Sequence, residues 1–328
     1  MNRNRIVGII SKSSDLSLIE IFKKELHESL SKKGFFYFET LCQENIFLAE
    51  IFLENQCNQD SKINNEKFSV LDGEFHYKHD LTSDIKNNSK SEKRFLIDSY
   101  DVHEEQIFTK LAGNFSFALY DDSKKKLFLA RDHFGVKPLF YFEDENCLIF
   151  SSEIKFINFF SKIKLTISEK KMVQFLCQYL ESTEETFYEE IKTLLPSHYL
   201  VYENNNAELK RYDHFSETQL NYKDFKLASQ TLKKVLTNAV EERLVHNKVK
   251  KIGCLVSGGL DSTSIYSLMK ESSSSYTYPI TMNFYDKKRN PLKCDEEFFQ
   301  NKIIEDKFKR IRIDFVEQSP LEKISEFL

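Results

Sequence analysis

Residues 257–262 read Ser-Gly-Gly-Leu-Asp-Ser, a set of residue types that is typical of an anion-binding loop. An apolar run at 252–256 comes directly before them, which predicts a buried strand, a tight turn and the start of a helix. The two glycines let the backbone turn tightly and bring its N–H groups to an anion, and the helix adds its positive N-terminal end. The hydroxyls of Ser257 and Ser262 can donate to phosphate oxygens. The segment therefore predicts a loop that cradles a pyrophosphate group.

The negative charge of Asp261 restricts which ligands this loop could bind. Its carboxylate would repel a bare phosphate, so its presence predicts a divalent cation, most simply Mg²⁺, between Asp261 and the phosphates. The segment lacks the lysine of the Walker P-loop and the spacing of the dinucleotide-binding fingerprint, which excludes both of those sites. The alternative is a glycine turn in which Asp261 or Ser262 only caps the helix.

The chain around the loop alternates between strand and helix patterns. An amphipathic helix is predicted over 224–243. The elements after it are predicted to be strands at 252–256, 278–284 and 310–316 and helices at 262–269 and 296–306. Such alternation is typical of a parallel sheet with right-handed crossovers, so this part is predicted to be α/β.

The upstream part of the chain is richer in strands. An antiparallel meander is predicted between 111 and 150, and the polar stretch 84–94 predicts a surface loop. The other predicted elements are strands at 6–10, 35–38, 46–52, 68–77 and 198–202 and helices at 18–30 and 167–180. The composition changes between 212 and 222, so we expect two domains, 1–212 and 213–328.

The composition of the 328 residues excludes several classes of function. The net charge is −4 and lysines are interleaved with acidic residues, which argues against a nucleic-acid partner. No apolar run could span a bilayer or form a secretory signal, so we expect a cytoplasmic protein without a membrane partner. The six cysteines show no Cys-x-x-Cys spacing and His76 and His79 have no nearby cysteine, so no zinc site is predicted.

Several motifs resemble those of the asparagine synthetase family. Residues 255–262, LVSGGLDS, are similar to the signature of its ATP pyrophosphatase domain. The runs NFSFALYD, LARDHFGVKPL and FSSEIK, at 114–121, 129–139 and 150–155, resemble the core of its class II glutamine amidotransferase domain. Residues 195–202, with Arg211 and Tyr212, resemble its interdomain stretch. The resemblance runs from about residue 68 to the C-terminus, whereas residues 1–67 match in outline.

The resemblance implies a fold and a reaction. The first domain is expected to be α+β with four αββα layers, of the Ntn-hydrolase type, and the second a truncated α/β ATP pyrophosphatase domain of the adenine nucleotide α-hydrolase type. In the family a carboxylate attacks the α-phosphorus of MgATP, and an amine then captures the acyl-adenylate. Leu255 and Met282 match positions that contact adenosine, or they are ordinary core residues. The residues implied to hold the pyrophosphate and its Mg²⁺ are Ser257, Gly258, Gly259, Asp261 and Ser262, with Asp261 as the metal ligand.

The first domain departs from the family at three places. The family's N-terminal cysteine nucleophile corresponds to a position near Asn4, whose amide cannot usefully attack a carbonyl. The family's oxyanion-hole asparagine reads Asp72, in Asp-Gly-Glu, and a carboxylate is a poor host for a developing oxyanion. The arginine segment that binds glutamine is not recognisable at 34–50. We therefore expect a scaffold without glutaminase activity and identify no catalytic residue in this domain.

The second domain is short relative to the family's. The family's carboxylate pocket and acid/base residues would lie beyond residue 328. Three interpretations stay open: the chain is a fragment of a longer protein, a second chain completes the site, or the protein is a degenerate relative. The leading hypothesis is an ATP-dependent carbon–nitrogen ligase that acts on a small-molecule or peptide carboxylate without glutamine. Lasso peptide cyclases and β-lactam synthetases are such branches, and the first type is favoured. The alternatives are a glutamine-hydrolysing asparagine synthase and a non-catalytic nucleotide- or partner-binding relative.

Overall fold

The computed structural model divides the chain into two compact units, Met1–Glu217 and Thr218–Leu328, close to the predicted division after residue 212. Among the described residues, no helix is long and apolar enough to cross a membrane. The structure describes residues 5–13, 16–32, 34–43, 45–53, 66–75, 91–179, 184–213, 224–246, 251–272, 276–290, 292, 295–304 and 310–316.

The first unit is built mainly from antiparallel strands. Its strands are β1 (Arg5–Ser11), β2 (Phe35–Gln43), β3 (Ile46–Leu53), β4 (Lys67–Phe75), β5 (Gly113–Asp121), β6 (Lys126–Arg131), β7 (Phe140–Glu143), β8 (Cys147–Ser151), β9 (Ile191–Thr193), β10 (His198–Glu203) and β11 (Asn206–Arg211). Its helices are α1 (Leu16–Ser31), α2 (Glu92–His103), α3 (Ile107–Lys110), α4 (Lys155–Asn158) and α5 (Glu169–Leu176).

Two sheets lie at the centre of this unit. Sheet A has the strand order β2-β3-β1-β8-β7-β9, and sheet B has the order β11-β10-β6-β5-β4. Their facing sides form one core, in which Ile6 and Phe150 of sheet A pack with Val70 and Leu129 of sheet B. The alternation of side chains along each strand leaves a second apolar face on each sheet.

Helices cover these outer faces. On sheet A, Phe22 of α1 is fully buried in one cluster with Val7 and Ile149, and burial of such a side chain contributes about 2–3 kcal/mol. On sheet B, Phe95 of α2 packs with Phe117. The order is helix, sheet, sheet, helix, so the predicted four-layer αββα arrangement is confirmed.

Three predictions for this unit need correction. The strands between 111 and 150 do not form one meander, because β5 and β6 belong to sheet B while β7 and β8 belong to sheet A. The predicted loop at 84–94 lies partly outside the described residues, and its end is the start of α2, because the Ser91 hydroxyl accepts from Arg94 N–H and caps the helix. The predicted helix at 167–180 is limited to α5.

The second unit contains the predicted parallel sheet. In chain order it comprises α6 (Phe225–His246), β12 (Lys251–Leu255), α7 (Leu260–Ser272), β13 (Tyr276–Tyr285), α8 (Asp295–Ile303) and β14 (Ile311–Val316). The strand order is β12-β13-β14 with parallel pairing, which confirms the prediction of an α/β arrangement. Val240 of α6, Tyr266 of α7 and Ile304 after α8 pack with Cys254 and Val256, so the helices cover one face of this sheet.

Candidate functional site

The loop at residues 257–262 lies between the end of β12 and the first turn of α7, as the sequence predicts. Gly258 has φ +94°, a conformation that other residues rarely adopt, so a glycine is required at the point where the chain turns. Val256 N–H donates to the carbonyl of Ile280 on the neighbouring strand at 2.8 Å, which ties the start of the loop to the sheet.

Two serine hydroxyls hold the loop closed. Ser262 Oγ accepts from Ser257 N–H at 3.1 Å, and Ser257 Oγ accepts from Gly259 N–H at 3.2 Å. The two hydroxyl oxygens lie 2.9 Å apart, so one hydroxyl proton is used between them. At most one of the two protons is then available for a phosphate oxygen, fewer than the sequence-based prediction assumes.

Asp261 lies exposed in the first turn of α7. Among the described residues no three His, Cys, Asp or Glu side chains form a group that could hold a metal ion. The exposed carboxylate of Asp261 suits Mg²⁺ that takes its other ligands from phosphates and water, since Mg²⁺ retains water and uses few protein ligands. The residues present therefore fit a metal that arrives with a polyphosphate.

Buried polar side chains behind the loop were not foreseen from the sequence. Gln300 of α8 is 1% exposed, and its Nε2 donates to the carbonyl of Ser257 at 3.1 Å. Arg310 NH2 donates to Gln300 Oε1 at 2.8 Å, and its Nε donates to Thr281 Oγ1, also at 2.8 Å. The carbonyl at the start of the loop is thus held by a network that reaches β13 and the residue before β14.

The two predicted adenosine-contact residues lie on the sheet face that the helices leave open. Leu255 is 58% exposed and Met282 is 38% exposed, so neither is an ordinary core residue of the part that the structure describes. Phe284 and Phe315, further along the same face, stack with ring centroids 5.6 Å apart. The side chains of Asp295 and Glu296 lie outside the described residues.

In the first unit, Asp72 lies near the middle of β4, the edge strand of sheet B. Its side chain is buried, and Lys137 Nζ donates to Asp72 Oδ1 at 2.6 Å. Next to it, Gly73 has φ +127°, and a Cβ added there would lie 2.0 Å from the carbonyl oxygen of Asn114. The residue that the sequence analysis places at the oxyanion-hole position is therefore a carboxylate in an ion pair.

Asp132 determines the shape of the loop that carries Lys137. Its carboxylate is fully buried and accepts from the backbone N–H groups of Phe115, Phe134, Val136 and Lys137 at 2.9–3.2 Å. The guanidinium of Arg131 donates to the carbonyls of Gly135, Lys137 and Leu194, each at 2.7 Å. Burial lowers the pKa of Arg131. The hydrogen-bonding groups of Asp132 and Arg131 thus hold the backbone of this loop in place.

Two glutamates cover the outer edge of β4. Glu50 Oε1 accepts from Leu71 N–H, and its Oε2 pairs with Lys93 Nζ at 3.1 Å with both side chains buried. Glu92 Oε1 accepts from Phe75 N–H at 3.2 Å. Burial raises the pKa of Glu92 to about 7, partly offset by this backbone hydrogen bond.

The predicted nucleophile position near Asn4 lies outside the described residues. The strand that follows it is well defined, because Arg5 pairs with Glu153 and the Ser152 hydroxyl accepts from Ile6 N–H at 3.1 Å. Ser151 Oγ donates to the carbonyl of Ile6 at 2.9 Å. The FSSEIK motif therefore anchors the first residues of β1.

Two family descriptions match this chain. Residues 5–213 match the family described as glutamine amidotransferase domain, and residues 231–310 match the family described as asparagine synthase. The first match covers more than half of the chain.

Curated relatives agree with these matches. A putative glutamine-hydrolysing asparagine synthetase 1 of Methanocaldococcus jannaschii is 31% identical over 61% of this chain and 35% of its own length. The glutamine-hydrolysing asparagine synthetase 3 of Bacillus subtilis is 28% identical over 60% of this chain and 32% of its own. The amidase chry2 of Gibberella zeae is 28% identical over 60% and 30%. The chain spans about a third of the length of these relatives.

Proposed function

The chain belongs to the asparagine synthetase family, and on that premise we propose that it serves as an ATP-dependent carbon–nitrogen ligase that takes no nitrogen from glutamine. The observation that carries the second half of this proposal is the ion pair between Asp72 and Lys137. An oxyanion hole needs donors aimed at a developing negative charge, whereas here a carboxylate stands at that position with its lysine already paired.

ATP is the proposed cofactor, with Mg²⁺. When bound, ATP would supply an activated phosphorus for attack by a carboxylate. Gly258 and Gly259 would let the backbone approach the pyrophosphate, the N-terminal end of α7 would favour its negative charge, and Asp261 would hold the metal.

The first experiment tests ATP use. MgATP binding is measured by calorimetry, and ATP–pyrophosphate exchange is measured with aspartate and with a peptide that carries a free carboxylate. We expect binding by the unaltered chain and at least about tenfold weaker binding by Asp261→Ala, because a charged ligand of the metal is removed. Glu271→Ala is the matched control, since Glu271 is an exposed carboxylate in the last turn of the same helix. Equal affinities for all three proteins would contradict the role of Asp261, and absence of binding would favour a non-catalytic, partner-binding relative.

The second experiment tests the use of glutamine. We expect no release of glutamate from glutamine above background, in the unaltered chain or in Asp72→Asn, because the substitution restores an amide but no nucleophile. The names of the relatives keep a glutamine-hydrolysing asparagine synthase as the second candidate. Release of glutamate by the unaltered chain would decide in its favour.

The narrower form of the proposal is ring closure of the lasso peptide cyclase type. If the first domain supplies no ammonia, the amine has to come from elsewhere, and a peptide that carries both amine and carboxylate meets that requirement. A candidate peptide incubated with MgATP should lose one water, as read by mass spectrometry. AMP without loss of water would point to activation of another substrate.

A second chain that completes the synthetase domain is the proposed partner. Parallel sheets are usually covered on both faces, yet one face of β12-β13-β14 exposes large apolar side chains. These are Leu255, Met282, Phe284, Ile313 and Phe315. We expect the chain alone to self-associate and Phe284→Ser to reduce this, as measured by light scattering. A monomer that binds no apolar dye would show that the face is already covered.

A further inference from the structure

We propose that Gln300 is a positioning residue that locks the peptide bond between Ser257 and Gly258, so that Gly258 N–H points toward the bound phosphate. This inference rests on the proposed function, since it concerns the same loop. Its basis is the contact between Gln300 Nε2 and the carbonyl of Ser257 at 3.1 Å.

Two of the three N–H groups of residues 257–259 donate to serine hydroxyls of the loop. Ser257 N–H donates to Ser262 Oγ, and Gly259 N–H donates to Ser257 Oγ. Among the described residues, none accepts from Gly258 N–H. Gly258 therefore contributes the backbone donor that this part of the loop offers to an anion.

The orientation of that donor follows from the planarity of the peptide group. In a trans peptide the carbonyl and the following N–H point in opposite directions, and the described residues contain no cis peptide. Because Gln300 draws the carbonyl of Ser257 toward α8, the N–H of Gly258 has to point away from α8. Glycine by itself would not enforce this, since it tolerates the dihedral angles on both sides of a peptide flip.

The side chain of Gln300 is itself held in place. It is buried, and its Oε1 accepts from Arg310 NH2 at 2.8 Å, which determines that its NH₂ group faces Ser257. Arg310 also donates to Asn301 Oδ1 at 2.6 Å. A glutamine is required because the site needs an acceptor for Arg310 and a donor for Ser257 on one side chain.

Two substitutions separate these roles. Gln300→Glu keeps an acceptor for Arg310 but places a carboxylate oxygen against the carbonyl of Ser257, so the peptide is expected to flip and turn Gly258 N–H inward. Gln300→Met keeps the side-chain size and removes both hydrogen bonds. We expect at least about tenfold weaker binding of MgATP and of pyrophosphate in Gln300→Glu, a smaller loss in Gln300→Met, and unchanged affinity in the control Lys302→Gln, at an exposed position of the same helix.

A second readout needs no ligand. The amide ¹H–¹⁵N signal of Gly258 should shift in Gln300→Glu and not in Lys302→Gln, and a crystal structure of Gln300→Glu should show the flipped peptide. An unflipped peptide with an unchanged Gly258 signal would overturn the inference, even if ATP binds. Absence of MgATP binding by the unaltered protein would instead overturn the proposed function, and the Gly258 signal would still decide the role of Gln300.

Discussion

Lys137 Nζ lies 2.6 Å from Asp72 Oδ1 and joins the loop after β6 to the edge strand β4. The side chains are 22% and 7% exposed, so water screens the pair poorly. The loop after β6 thus supplies the cation that neutralises the buried carboxylate of Asp72.

Loss of Lys137 should destabilise the first unit. Lys137→Met leaves the buried carboxylate of Asp72 without its partner, and we expect a loss of about 2–4 kcal/mol in the free energy of unfolding, measured with urea. The double variant Asp72→Asn/Lys137→Met should be less destabilised than the sum of the single changes. Lys125→Met is the control, because Lys125 forms an exposed pair with Asp122. Equal effects of Lys137→Met and Lys125→Met would show that burial adds nothing to the pair.

Asp132 should be among the most sensitive positions of the first unit. Asp132→Ala leaves the N–H groups of Phe115, Val136 and Lys137 without their acceptor, so we expect a loss of about 3 kcal/mol or more. Glu145→Ala, at the exposed turn between β7 and β8, should cost less than about 1 kcal/mol. Thermal unfolding of both variants compares them directly, and a small effect at Asp132 would be inconsistent with the loop as described.

Two glycines with positive φ should differ in their tolerance of alanine. Gly73→Ala places a Cβ 2.0 Å from the carbonyl oxygen of Asn114, so it should prevent normal pairing of β4 with β5. Gly34→Ala has φ +69° with nothing within 4 Å of the new Cβ, so only backbone strain of about 1–2 kcal/mol is expected. Soluble yield and circular dichroism measure the difference. A folded Gly73→Ala protein of unchanged stability would argue against this geometry.

Glu92 should make stability depend on pH. Burial raises its pKa from 4.5 to about 7, so the folded state retains a proton that the unfolded state releases. The resulting stabilisation is full below about pH 4.5 and is lost as the pH rises through 7. Relative to Glu92→Gln, which keeps an oxygen for Phe75 N–H, the unaltered protein should lose on the order of 1–3 kcal/mol between pH 5 and 8. Urea unfolding across this range measures it, and parallel pH profiles would refute the shift.

Strands and helices of this protein could largely be predicted from the sequence. The alternation of apolar side chains along β5 and β6 and the strand–helix order after residue 251 are local patterns, and both predictions hold. The division of β5 to β8 between two sheets could not be predicted in this way. Each of these strands would bury an apolar face in sheet A or in sheet B alike. The periodicity of its apolar residues therefore does not show which sheet it joins.

In the candidate sites, too, some features could be predicted from the sequence and others could not. The residue types at 257–262 predict a phosphate loop, and the resemblance to the family implies an altered oxyanion position at Asp72; both remain predictions, and both concern a few neighbouring side chains. The partners were not predictable: Lys137 is 65 positions from Asp72, and Gln300 is 43 positions from Ser257. A lysine or glutamine in a sequence is ordinarily a solvated surface residue.

The sequence alone therefore determined which groups are available for chemistry, and the tertiary structure decided how they are oriented and neutralised. Burial removes the water that would otherwise satisfy a carboxylate or a carbonyl, so a buried polar group is usually satisfied by a protein partner instead. Strand pairing and helix packing bring that partner from a distant part of the chain, and only the folded structure shows which residue it is.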